Sequence, residues 1–171
     1  YFLASILSAR IYLHSRRAPK MPFAPGVSVL KSLKGIDPGM LDAFRSHCRQ
    51  NYAGEFELLF GVSSLDDPAA ASVERLKSEF PQIAIKLIEC PERLGTNGKV
   101  STLFQLSVYA RYDFLLINDS DITVSPCYLE RVMESFARQA QKRGGPDTVG
   151  LVTALYRGRA HGTLPSQLEA L

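Results

Sequence analysis

Two acids one residue apart, Asp119 and Asp121, close the stretch Tyr112-Asp-Phe-Leu-Leu-Ile-Asn-Asp-Ser-Asp121. The apolar run at 114–117 reads as a short buried strand, and polarity changes abruptly after it. Along an extended backbone, residues i and i+2 point to the same side, so these carboxylates would stand together. Paired carboxylates repel unless a proton or a cation joins them. A hard divalent cation such as Mg²⁺ or Mn²⁺ takes carboxylate oxygens and leaves positions open for phosphate. In open α/β sheets, ligands bind at the C-terminal ends of the strands. The stretch therefore reads as a metal–diphosphate site at the mouth of a sheet. The alternative on spacing alone is a strand that runs into an Asp/Ser-rich turn, with its acids solvated or capping the next helix.

Two further places carry suitable chemistry. Ser63-Ser-Leu-Asp-Asp-Pro68 again runs a strand into acids, Asp66 and Asp67. Pro68 suits a first helical turn with Asp67 as its cap, a role that needs no ligand. Cys90-Pro-Glu-Arg-Leu-Gly-Thr-Asn-Gly-Lys99 is a flexible loop that opens a helix at Lys99. Backbone amides at a helix start plus a lysine suit a phosphate. The spacing is not a Walker loop, and a solvated lysine is the plainer reading.

The elements that must position these residues alternate. Strands are predicted at 27–33, 56–62, 83–88, 114–117 and 148–155, with helices at 40–50, from Pro68 to Phe80, at 100–110 and at 128–141. Leu41, Phe44 and Cys48 mark one helix face, and Val73, Leu76 and Phe80 another. Lys31 and Lys34 are read as marking the end of the first strand, Asp37 as a helix cap before Pro38, and His47 as a surface residue. His161 has no visible partner in the sequence. Strand–helix alternation of this kind predicts a parallel, doubly wound α/β fold.

Composition bounds the rest. The 171 residues suit one domain or most of one, with 46% apolar and 22% charged residues as in ordinary globular chains. A net charge of +3 gives no nucleic-acid footprint. Cys48, Cys90 and Cys127 form no CxxC pair, which excludes a zinc pattern and a disulfide framework and points to reduced thiols. The apolar residues from Tyr1 to Leu13, followed by Arg16, Arg17 and Lys20, fit the cytoplasmic end of a membrane helix or an interfacial helix. An amphipathic helix packed on the domain is the alternative. Residues 1–18 are assigned to that helix, 19–26 to a proline-broken linker, and 27–171 to the domain. Both ends fall inside apparent elements, so the chain is expected to be part of a longer protein.

Four motifs then occur in order: Pro25-Gly-Val-Ser-Val-Leu-Lys-Ser-Leu-Lys-Gly-Ile-Asp-Pro38, Leu65-Asp-Asp-Pro68, Leu94-Gly-Thr-Asn-Gly-Lys99 and the stretch ending at Asp121. Together, over about residues 25–155, they resemble the ceramide glucosyltransferase family and its bacterial relatives, including hopanoid-associated glycosyltransferases. The resemblance implies a GT-A-type, Rossmann-like, mainly parallel sheet flanked by helices and truncated at both ends. It implies inverting transfer from a UDP-sugar donor to a lipid acceptor hydroxyl, ceramide or hopanoid, with a divalent cation, Mg²⁺ or Mn²⁺. By the same resemblance, Asp67, with Asp66 beside it, lies at the nucleotide's base or ribose. Lys99 approaches the diphosphate, and Asp119 and Asp121 hold metal and diphosphate. Animal members often carry glycine at the second acidic position, so Asp121 leans towards the bacterial branch.

The family's general base, its Gln-x-x-Arg-Trp motif and its C-terminal membrane helices are expected beyond Leu171, and the chain contains no tryptophan. The piece alone is therefore expected to be inactive, and the whole protein to be membrane-associated with its catalytic domain on the cytoplasmic side. The competing classes are a non-catalytic, receiver-like nucleotide-binding module and a nucleotidyltransferase. The first strand ends in lysines rather than paired acids, against the former, and Lys34-Gly-Ile-Asp-Pro-Gly39 is too sparse in glycine for the latter.

Overall fold

The computed structural model describes residues 2–15, 23–142 and 150–154. Strands β1 (Val27–Ser32), β2 (Phe56–Val62), β3 (Ala84–Glu89) and β4 (Phe114–Ile117) form one sheet. They lie in the order β3-β2-β1-β4, and every pairing is parallel. Helices α2 (Met40–Cys48), α3 (Ala69–Glu79), α4 (Gly98–Ser107) and α5 (Tyr128–Lys142) connect or follow the strands, and α1 (Phe2–Ser15) precedes them.

The two-residue period of the strands sorts the core onto two faces. Val27, Val29, Leu58, Phe60 and Val62 meet Met40 and Phe44 of α2, Val73 and Leu76 of α3, and Leu129 and Met133 of α5. On the other face, Leu30 and Leu59 meet Leu106 of α4 beside Cys90. β1 and β2 are therefore covered on both sides, which is why β2 carries the continuous apolar run Leu58-Leu59-Phe60. The strand order reverses between β1 and β4, and α/β folds open a crevice at such a point.

At the opposite end of the sheet, the wholly buried Glu57 fastens the chain entering β4. Its Oε1 accepts from Ser28 Oγ at 2.8 Å and from the Arg111 amide at 2.7 Å. Lys86 Nζ stands 3.7 Å from Oε2.

Several expectations are corrected. β4 is buried on one face only: Leu116 joins the core, but β4 is an edge strand among the described residues, and Leu115 and Ile117 are 46% and 53% exposed because α4 covers β1 and β2 instead. Of the strand expected at 148–155, only 150–154 are described, and they pair with no strand. Asp37 does not cap α2 with its side chain. Gly39 occupies the N-cap with φ 76°, a left-handed conformation that glycine adopts without steric cost.

Gly61 sets how closely α4 approaches the sheet, since a Cβ there would lie 2.6 Å from Thr102 Cγ2 and 3.0 Å from Leu106 Cδ1. Thr102 is β-branched and cannot swing aside cheaply. Gly61→Ala should lower unfolding free energy by about 1–2 kcal/mol, at the lower end of overpacking costs. Urea denaturation checks this, and an unchanged midpoint would show that α4 moves freely.

Candidate functional site

A cleft of about 940 Å³ opens at the C-terminal ends of the strands. Ser32 and Leu33 follow from β1, Ser63 from β2, Cys90 from β3, and Asp119 to Asp121 from β4, while Gly98 and Lys99 begin α4. Its size lies in the range of small-molecule sites, roughly 300–1,000 Å³.

Three of the residues singled out in the sequence, Lys99, Asp119 and Asp121, line this cleft together. They do so by a different backbone route from the one expected. The strand stops at Ile117, and the chain turns at Ser120 and Asp121 instead of remaining extended. The turn is tied down by Ser120 Oγ, which donates to Asp37 Oδ2 at 2.7 Å. Lys99 Nζ is hydrogen-bonded to Asp119 Oδ1. The Asp119 carboxylate thus faces the cleft and already takes a cation.

Asn97 explains why Lys99 stands there. Its side chain accepts from the Val100 amide and caps α4, so Gly98 and Lys99 form the first helical turn. The donor set suits a hard divalent ion that shares its ligands with phosphate, since Asp119 and Asp121 line the cleft, with Asp37 and Glu92 also on its wall. Among the described residues no three His, Cys, Asp or Glu side chains converge on one point. A fully protein-held metal centre is therefore not what these residues build.

Asp66 and Asp67 do not line the cleft with the others. The Asp67 carboxylate receives the Gly35 amide at 3.0 and 3.1 Å and the Ala69 amide at 2.9 Å. It caps the start of α3, as its position before Pro68 predicts, and also grips the loop after β1. Asp66 is exposed.

Beneath the acids lies a chain of polar contacts whose parts were not assigned to the site from the sequence. Lys31, taken as a strand-end residue, is 0% exposed. Its Nζ meets Asn118 Oδ1 at 2.6 Å and the Asp119 carbonyl at 2.7 Å. The register explains the meeting, for Leu30 pairs with Ile117 and the next residues are Lys31 and Asn118.

His47, expected at the surface, is 1% exposed because it shares a helix face with Ala43 and Phe44. Its Nδ1 lies 3.0 Å from the Ala43 carbonyl, which only accepts, so Nδ1 carries the proton. Nε2 then accepts from Asn118 Nδ2 at 2.9 Å, leaving Asn118 Oδ1 for Lys31. The signal existed in the sequence: Lys31 alternates with Val27, Val29 and Leu33, and His47 lies three residues after Phe44.

Burial brings the Lys31 amine down from 10.5 to about 7; Asp119 and Asp121 pull it upward, and Lys99 pushes it down. Burial also depresses His47 from 6.5 to about 3, with Lys31 adding to the effect and the Ala43 carbonyl opposing it. Cys48, by contrast, is pushed up to about 12 by burial, so it is a core residue and not a nucleophile.

Comparisons with known proteins decide the family. The model of glycosyl transferase family 21 matches residues 1–171. The chain belongs to glycosyl transferase family 21. A ceramide glucosyltransferase of Komagataella phaffii is 31% identical over 124 residues, 70% of this chain and 24% of that protein. Ceramide glucosyltransferase 1 of Caenorhabditis elegans is 36% identical over 114 residues, 67% of this chain and 24% of that protein. The family 21 chain thus spans about a quarter of the length of these relatives.

Among solved structures, a mannosyltransferase of Pyrobaculum calidifontis in complex with GDP-Man and Mn²⁺ superposes with a TM-score of 0.60 at 21% identity. The match covers 80% of this chain and 41% of that one. TarS of S. aureus in complex with UDP gives a TM-score of 0.54 at 19% identity, over 68% and 33% of the two chains. The expected mainly parallel, helix-flanked GT-A architecture is thereby borne out.

The neutral His47 gives a pH dependence with a definite sign. Its folded pKa lies below the unfolded value, so the unfolded chain binds the extra proton between about 6.5 and 3. Stability should therefore fall as pH drops through that window. Between pH 7 and 5 the wild type should lose about 1–2 kcal/mol more than His47→Gln in denaturant unfolding. Equal slopes for the two proteins would show that the imidazole does not titrate this way.

Proposed function

We propose that the intact protein is an inverting glycosyltransferase that moves a sugar from a UDP-sugar to a lipid hydroxyl. The observation that carries this reading is the shared cleft of Lys99, Asp119 and Asp121 in a chain of family 21. A lipid of the ceramide type is favoured over a hopanoid by the names of the relatives. The family match also favours glycosyl transfer over a receiver-like module or a nucleotidyltransferase.

In this reading Asp119 and Asp121 hold a divalent cation, Mg²⁺ or Mn²⁺, through their carboxylates. When bound, the ion supplies Lewis-acid help to departure of the UDP diphosphate. Lys99 leaves Asp119 and donates to the diphosphate, offsetting the negative charge that grows as the glycosidic bond breaks. The first turn of α4 adds its unpaired amides on the same side. Asp67 borders the nucleoside end by fixing the loop around Gly35, with Asp66 beside it. The acceptor hydroxyl attacks the anomeric carbon opposite the leaving UDP and gives its proton to a general base of the intact protein, which inverts that carbon.

We further propose membrane association, with residues 1–18 as part of a membrane or interfacial helix, 19–26 as a linker, and the domain on the cytoplasmic side. Leu3, Ile6, Leu7 and Ile11 of α1 are exposed, which supports apolar surroundings for it. No helix among the described residues is long and apolar enough to cross a membrane.

Calorimetric titration of UDP and UDP-glucose into the detergent-solubilised intact protein, with and without Mn²⁺, tests the reading. Binding should require Mn²⁺ and be lost in Asp119→Ala, whose turnover should fall on the order of 10²–10³-fold. Binding that is indifferent to Mn²⁺ and unchanged in Asp119→Ala would defeat it.

A further inference from the structure

We infer that Lys31 is a positioning residue for the divalent cation of this cleft, acting through Asn118 and the main chain of Asp119. The inference rests on the donor-site reading above and adds a residue that touches neither metal nor donor.

The geometry is specific. Asp119 is the second residue beyond β4, outside the hydrogen-bond ladder that fixes β4 to β1. From outside, the turn is held by the Ser120–Asp37 hydrogen bond and by a long contact of 3.5 Å from the Ile122 amide to the Asp119 carbonyl. Lys31 holds it from within the sheet: Nζ reaches the Asp119 carbonyl at 2.7 Å and Asn118 Oδ1 at 2.6 Å. With the carbonyl pinned inward, the Asp119 side chain is left to the cleft, where it meets Lys99. Asn118 is gripped at its other end by His47 Nε2, so its amide cannot rotate to release Lys31. His47 is itself anchored to the Ala43 carbonyl within α2. A continuous set of contacts therefore joins α2 and β1 to the acidic turn. Groups that orient ligating carboxylates in this way commonly govern metal affinity by about 10–100-fold.

Lys31 is also a poor choice for stability alone. It lies on the apolar face of β1, between Val29 and Leu33 and over the ring of Phe44, where burying a polar nitrogen is costly. Lys31→Met fills the same space but leaves the Asn118 amide oxygen and the Asp119 carbonyl without this donor. A merely structural lysine and a positioning lysine thus predict different combinations of effects.

The experiment is the Mn²⁺ dependence of UDP binding in the intact solubilised protein, with thermal unfolding recorded in parallel. In Lys31→Met the concentration of Mn²⁺ needed for half-maximal UDP binding should rise about 10–100-fold. Its Tm without metal should fall no further than that of Leu76→Ala, a core variant away from the cleft whose Mn²⁺ requirement should stay at the wild-type value. Asn118→Ala should shift the Mn²⁺ requirement in the same direction, and the double variant should lose less than the product of the two, because both act on one contact. An unchanged Mn²⁺ requirement in Lys31→Met overturns the inference, as does a shift that merely tracks a lowered Tm. Should Lys31→Met not fold, an unchanged requirement in Asn118→Ala overturns it equally. If the wild type binds UDP with no Mn²⁺ dependence, the donor-site reading itself has failed. Metal-dependent binding in the wild type with a normal Lys31→Met defeats only the role given to Lys31.

Discussion

The acidic turn after β4 is met from within the sheet by one buried group, the Lys31 side chain, which reaches across to Asn118 and Asp119. A lysine nitrogen inside an apolar layer is costly unless its hydrogen bonds are met. Here they are met by the turn that carries the acids, so lysine and turn each need the other. His47 extends the same logic into α2. Burial makes it neutral, neutrality leaves Nε2 as an acceptor, and that acceptor fixes the amide of Asn118. A single asparagine thus joins two chargeable side chains in the core, each of which also meets a backbone carbonyl.

The sheet supplies the frame for this arrangement. β1 is covered on both faces and flanked by β2 and β4, so its C-terminal end is a closely packed place from which to direct a site. Loops from all four strands converge there, and the capped start of α4 brings Lys99 to the same cleft. Glu57 acts at the far end, where its carboxylate receives the chain entering β4 and sets the strand's position. The site is loop-built, but each loop is anchored within one or two residues of a strand or a helix cap. Fixed groups of this kind stabilise developing charge without reorganising at the moment of reaction.

The separate treatment of the two acidic pairs follows from the same economy of contacts. Asp67 directs its carboxylate to three backbone contacts, which makes it a structural corner between β1 and α3. Asp119 presents its carboxylate to the cleft while its carbonyl accepts from Lys31. Both residues sit at strand ends in short acidic strings, and spacing alone does not separate them. What separates them is which nearby amides lack partners: an unsatisfied helix start lies beside Asp67, whereas Asn97 already serves that purpose for α4.

The sequence by itself determined the strand–helix alternation, the parallel α/β class, the buried stripes of α2 and α3 and the family resemblance. These rest on periodicity, on proline and glycine punctuation and on the order of short motifs, all of which are local. Tertiary structure alone decided that β4 is an edge strand among the described residues, that Asp37 faces Ser120 and leaves the helix cap to Gly39, and which partners satisfy the buried Lys31 and His47. Hydrophobicity assigns a lysine or a histidine to the surface by default. The default fails when a partner separated by 87 or 71 residues in the chain satisfies the buried nitrogen. Such a partner is set by strand register, which no local pattern encodes.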